Sequence, residues 1–206
     1  MKFKLLYHGQ LRASTTSDTR VKEKHLIRKE FHKQLKELWR VQAPFSSWLG
    51  AAKVPAQNSP SGKETTVIDI MADKHARCGY RFLPTISIGR SLSCGLDVTF
   101  LRRDHPGNLV RSGGDIDNRI KTLFDALRMP NNSGELANMP PGPDENPFYV
   151  LLEDDSQITK VSIATDRLLT APADGEHIND VHLVIGVTVN VINVFGQFGN
   201  ISFLGS

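Results

Sequence analysis

The sequence is poor in cysteine. Its 206 residues hold two, Cys78 and Cys94, set far apart. A disulfide framework is therefore not expected, and the absence of any C-x-x-C pair removes the common zinc ligand spacing. Long apolar runs are missing as well: no stretch approaches the ~18 apolar residues that a membrane-spanning helix needs. The apolar part of the first segment, Met1-Lys2-Phe3-Lys4-Leu5-Leu6-Tyr7-His8, is too short for a secretory signal. Internal repeats are absent. These absences lead us to expect a soluble, cytoplasmic protein without a membrane partner. What is present fits one ordinary globular domain, with 39% hydrophobic and 23% charged residues.

The formal charge of +3 hides an uneven distribution. Residues 1–53 carry 12 Lys/Arg against 4 Asp/Glu, a surplus of +8, whereas residues 54–206 carry 13 against 18, a deficit of −5. A basic first quarter and an acidic remainder suggest one surface for an anionic partner and another for cations. A helix merely well solvated by lysines would look the same.

Periodicity gives the elements. Residues 2–7 read as a first strand. Ile27, Phe31, Leu35, Leu38 and Trp39 mark one face of a helix over 20–41, with Leu26 placed to widen it. Residues 43–65 lose periodicity among Pro44, Pro55, Pro60 and several serines, and read as a long loop. Residues 66–71 fit either a short strand or a helix start. Strands are expected at 80–88, with Pro84 marking an edge or bulge, and at 92–101, followed by a polar loop at 102–114. A helix is expected at 117–128, a second long loop at 129–147, a short apolar run at 148–152, and strands at 158–165 and 181–192. The tail 193–206 stays unassigned. The order implies an α/β domain, one mixed β-sheet packed with two main helices.

The chemistry concentrates in Gly114-Asp115-Ile116-Asp117-Asn118-Arg119-Ile120-Lys121-Thr122-Leu123-Phe124-Asp125-Ala126-Leu127. Asp117 is a candidate N-cap. Ile116, Ile120, Leu123, Phe124 and Leu127 would form the buried face, with Asp117, Lys121 and Asp125 along a neighbouring one. If the entry is extended, Asp115 can aim at the same point as Asp117. Glu153-Asp154-Asp155-Ser156-Gln157 adds a second acidic cluster. Carboxylates of this kind suit Mg²⁺, a hard ion that keeps open positions for water and phosphate oxygens. An adjacent lysine could stabilise charge on a phosphate. A helix cap followed by a surface ion-pair ladder would use the same residues, and spacing alone leaves both readings open. A calcium loop counted from Asp115 is excluded, because the required glycine and glutamate positions hold Ile120 and Ala126.

The string Asp115-x-Asp117-Asn118-x-x-Lys121-x-x-x-Asp125-Ala-Leu, followed by Asp154-Asp155-Ser-Gln, resembles the RusA family of Holliday junction resolvases, small and often phage-encoded endodeoxyribonucleases. The resemblance covers roughly residues 92–192. It implies a dimeric RusA-like α/β fold in a bacterial or phage-infected cell. The implied activity is Mg²⁺-dependent cutting at a four-way DNA junction, with Mn²⁺ as a substitute metal. Carried over, Asp115, Asp117 and Asp155 are the metal-binding and catalytic carboxylates, Asp154 a supporting one and Lys121 the catalytic lysine. Asn118 and Asp125 match the pattern as neighbouring or structural residues. Arg102, Arg103 and Arg111, with Asn118 and Arg119, are the candidate DNA contacts. The insert at 129–147, the loop at 43–65 and the tail have no counterpart in the family pattern.

Overall fold

A computed structural model describes residues 1–11, 18–55, 64–103, 116–171, 180–194 and 200–203. The chain is α/β. Two main sheets replace the single expected one, and the described residues hold four α-helices rather than two.

The larger sheet has the order β1-β9-β6-β8, from β1 (Lys2–Gly9), β6 (Leu92–Arg102), β8 (Ile158–Arg167) and β9 (Val181–Val191). β1 and β6 each run antiparallel to β9, while β8 runs parallel to β6. Successive side chains alternate between faces, so the register sorts residues into rows. On the inner face Leu5, Ile185, Val98 and Ile163 lie side by side across the four strands, as do Phe3, Val187, Leu96 and Val161. Burial follows these rows and then stops. Ile185 and Val98 are 0% and 2% exposed, whereas Ile163 and Val161 on β8 are 38% and 42% exposed.

Helix α1 (Asp18–Val41) covers this face. Ile27, Phe31, Leu35 and Trp39 are buried as their spacing predicts, but Leu26 points outward at 47% exposure and does not widen the stripe. Burying one large aliphatic or aromatic side chain contributes roughly 1.5–3 kcal/mol, so the row anchors α1 far more firmly than the surface pairs Glu30–Lys33 and Glu37–Arg40 beside it.

The second sheet has the order β4-β5-β7, from β4 (Ala76–Arg77), β5 (Tyr80–Ile86) and β7 (Phe148–Leu152). β4 and β5 meet through Cys78 and Gly79, both at positive φ (54° and 80°), the backbone a two-residue hairpin turn demands. Pro84 faces a gap that the two-residue β4 does not reach, which explains a proline in the middle strand. β7 is buried along its whole length. Residues 43–65 contain more structure than expected: helix α2 (Phe45–Leu49) and a two-residue ladder of β2 (Val54–Pro55) with β3 (Glu64–Thr65). Residues 66–71 resolve as the start of helix α3 (Val67–Lys74), capped by the Thr66 hydroxyl accepting from Asp69 N–H at 3.0 Å. The tail is partly placed: Asn200–Phe203 forms a 3-10 turn whose buried Phe203 meets the rings of Phe45 and Trp48. No described helix is long and apolar enough to cross a membrane.

Candidate functional site

The first acidic stretch folds as helix α4 (Ile116–Leu127). The helix begins one residue before the expected start, so Asp117 stands in its first turn. Asp115 and Arg111 lie outside the described residues. Leu123, Ala126 and Leu127 are fully buried, and Ile116, Ile120 and Phe124 pack partly against the same core. This leaves Asp117 and Lys121 exposed, one helical turn apart. Arg119 donates to the carbonyl of Leu11 and so fastens the helix start to the segment after β1.

Asp125 belongs to a different environment. It pairs with Lys24 at 3.0 Å and Arg128 at 3.2 Å, and its carbonyl accepts from the buried Arg28 at 2.7 Å. Arg28 also donates to the carbonyls of Arg128 and Glu135. The position matching the family Asp-Ala-Leu segment is thus a packing residue that joins α1, α4 and the following loop.

After α4 the chain turns along β7: Arg128 bridges Leu152 in parallel, and Met129 N–H donates to Leu152 O at 2.9 Å. This pairing holds Leu152, the residue before the acidic cluster, beside Arg128 and Met129 at the end of α4. The 3-10 turn Asp155–Gln157 packs on α4.

The three acids of the second cluster have three different settings. Glu153 accepts from Ile88 N–H at 2.9 Å and faces His75 Nε2 at 3.6 Å, contacts that hold its carboxyl below the usual range against the opposing effect of burial. His75 in turn is seated by Nδ1 on the carbonyl of Met71 at 2.9 Å. Asp154 caps the turn, accepting from Ser156 N–H at 3.0 Å while Gln157 Oε1 accepts from Asp154 N–H at 3.0 Å. Its carboxyl is lowered first by Ser156 and further by Arg128 and Arg77. Asp155 is exposed on the turn. Burial opposes the charge on Arg128, yet Glu135, Asp125 and Asp155 outweigh it and raise that guanidinium above its ordinary value.

The hard oxygens of exposed Asp117 and Asp155 have the chemistry a magnesium ion requires. Among the described residues, however, no three His, Cys, Asp or Glu side chains converge as a metal-holding group. α4 and the 155–157 turn are therefore in contact, but a complete ligand set is not formed by the described residues.

Arg102 and Arg103, expected to flank the site, stand away from the acidic turn. Arg102 pairs with Arg167 at the far end of β6–β8, whereas Ile158, next to the acidic turn, is opposite Cys94. Eight residues of strand separate Cys94 from Arg102, about 26 Å. Arg103 is beyond that, with Nε on the carbonyl of Thr170 at 3.0 Å. The basic groups beside Asp154 and Asp155 are instead Arg77 and Arg128, which the sequence reading missed. Arg128 follows the helix by one residue, and its position in a buried stretch was the available signal.

No family model, curated protein or solved structure matches the chain.

Proposed function

We propose that this chain is a Mg²⁺-dependent endodeoxyribonuclease acting on branched DNA in the manner of RusA-family resolvases. One observation carries the reading: both halves of the family pattern are present in the sequence, residues 115–127 and 154–157, and α4, which carries Asp117 and Lys121, touches the turn behind β7. Asp115, Asp117 and Asp155 would hold the metal, with Asp154 supporting the turn. Bound there, Mg²⁺ would lower the pKa of a water and neutralise charge growing on the phosphate. Lys121, exposed one turn beyond Asp117, would present its ammonium to the same phosphate. Two such sites in a homodimer would account for paired nicks, and phosphate contacts would position the junction without reading its sequence.

A second reading is junction binding without cleavage, for which the basic surplus of residues 1–53 would suffice. A substrate panel separates the two. Four-way junction, fork, flap and linear duplex are incubated with Mg²⁺ or Mn²⁺. The nuclease reading expects symmetric nicks in the junction and at least a ~100-fold loss of rate in Asp117→Asn and in Lys121→Ala, the scale on which a stabilising group at a reacting oxygen acts. Wild-type cutting by folded variants would reject the site. Gel-shifted junction without cleavage in either metal would select the second reading. Equal cutting of forks or flaps would broaden the substrate class.

A further inference from the structure

Residues 88–92 join β5 to β6 through a 3-10 turn, Ile88–Arg90, and Ser91, whose φ of 53° is left-handed. A serine seldom adopts that backbone, and it persists where the surroundings hold it. Two sets of hydrogen bonds hold this one. The first set reaches the acidic turn at both of its ends. Ile88 N–H donates to the Glu153 carboxylate at 2.9 Å, just before the turn, and Leu92 O accepts from Gln157 Nε2 at 3.2 Å, at its last residue. Gln157 is buried, and its Oε1 also accepts from Asp154 N–H. The exposed Asp155 thus stands on a turn whose two ends are fixed by one short piece of backbone. The second set reaches the tail. Asn200, fully buried, donates from Nδ2 to Arg90 O at 3.0 Å and to Asn193 O at 2.7 Å, while Ile192 N–H donates to Ser91 O at 2.8 Å. Phe203, in the same 3-10 turn as Asn200, is wedged against Phe45 and Trp48.

We propose that Asn200 and Glu153 are positioning residues for the candidate metal site. Docking of residues 200–203 sets the backbone at 88–92, and that backbone sets where Asp154 and Asp155 stand. The consequence for metal rests on the nuclease reading above, whereas the coupling is a property of the protein alone. Carboxylates serve a hard ion only when their supports hold them in place. Groups that orient metal ligands without touching the ion carry about ten- to hundredfold in affinity. Were Asn200 merely a packing residue, its loss would lower stability and leave the acidic turn where it is.

Amide resonances of the ¹⁵N-labelled full chain separate these roles. Ile88, Asp154 and Ser156 report the segment and the turn, because their N–H groups make the bonds in question. Asn200→Ala and Phe203→Ala release the tail through different contacts, and each should move all three resonances. Phe100, eight residues along β6 from Leu92 and about 26 Å away, should stay in place. Glu153→Ala should move the same three, whereas Glu153→Gln, which keeps an acceptor for Ile88 N–H, should leave them near their wild-type positions. Binding of Mn²⁺, followed by the paramagnetic resonance signal of the free ion, should weaken roughly tenfold in each alanine variant. A folded tail variant with Asp154 and Ser156 unmoved overturns the proposal. So does Glu153→Ala with Ile88 and Asp154 unmoved, a test that holds even if a tail variant fails to fold. Unchanged Mn²⁺ affinity in a variant whose turn has moved also overturns it. A wild-type chain that takes up no Mn²⁺ refutes the nuclease reading instead, and the amide resonances alone then decide whether the tail sets the turn.

Discussion

Single residues settle roles that composition leaves open. His25 and His32 lie on the basic helix α1, yet both are buried, with Arg28 between them. At i, i+3 and i+7 these three share the same periodicity that marks the apolar stripe, a signal that polar identity hides. Their hydrogen bonds fix the tautomer. Arg28 donates toward His25 Nδ1, and Tyr80, whose hydroxyl hydrogen goes to Met139 O, leaves its oxygen to accept from His25 Nε2. Tyr149 N–H donates to His32 Nδ1 at 2.8 Å, and His32 Nε2 donates to Asp144 O. Each ring accepts at one nitrogen and donates at the other, so a second proton has no place. Burial brings His25 down to about 4 from 6.5 and lowers His32 in the same direction. Unfolding returns both rings to ordinary values, so between those values the unfolded chain holds more protons. The His25 stabilisation is complete above pH 6.5 and is lost as pH falls through about 4, at most about 3 kcal/mol, and His32 acts in the same direction. The urea midpoint should therefore fall from pH 7 to pH 4.5. The Cε1–H resonance of His25 should stay unmoved in the folded protein until about pH 5, and that of His32 should move only below its ordinary midpoint; normal titration near 6.5 would contradict the assignment.

Most elements were legible because each carries a strong period: α1, α4, β1, β6, β8 and β9 fall within about two residues of expectation, the usual scatter of element ends. What was not legible depended on partners distant in sequence. Two sheets instead of one follow from β5 choosing β7 as its parallel neighbour, a pairing that no local pattern encodes. The glycine-rich tail gave no period, yet Phe203 docks against Phe45 and Trp48 while Asn200 donates to the carbonyls of Arg90 and Asn193. Arg90 is itself enclosed, its guanidinium over Trp39 and Trp48 and bonded to the carbonyls of Pro84 and Thr85; burial lowers it to about 10. The tail thus closes a box of aromatic rings around a buried cation. Phe203→Ala should cost about 3 kcal/mol, as deletion of a buried ring does, read as a shift of the urea midpoint. A shift below ~0.5 kcal/mol, the level of an ordinary surface substitution, would mean the tail is not docked. As for the candidate site, the two acidic strings and the amphipathic helix could be read from spacing. The use of Asp125 as a packing residue, and of Arg77 and Arg128 as local cations, could not, because these depend on how α1 and β7 meet α4.

At the scale of the whole molecule, one hydrophobic cluster runs from Met1 through α1, the larger sheet and α4 to Phe203. Trp39 lies within it, fully buried, with its indole N–H on Thr85 Oγ1 at 3.0 Å. Such a core should unfold as a unit. Tryptophan fluorescence and far-ultraviolet circular dichroism should give superimposable denaturant curves; separated midpoints would show that the second sheet melts on its own.

The pairing of β1 with β9 has a consequence in time. Lys2 is opposite Thr188, and Gly9 is opposite Val181. At ribosomal rates of about 5–20 residues per second, the first strand made waits roughly 10–40 seconds for the strand that completes it. Until then Leu5 and Tyr7 have no sheet to join, and a nascent chain halted short of residue 181 leaves that strand open to any passing chaperone.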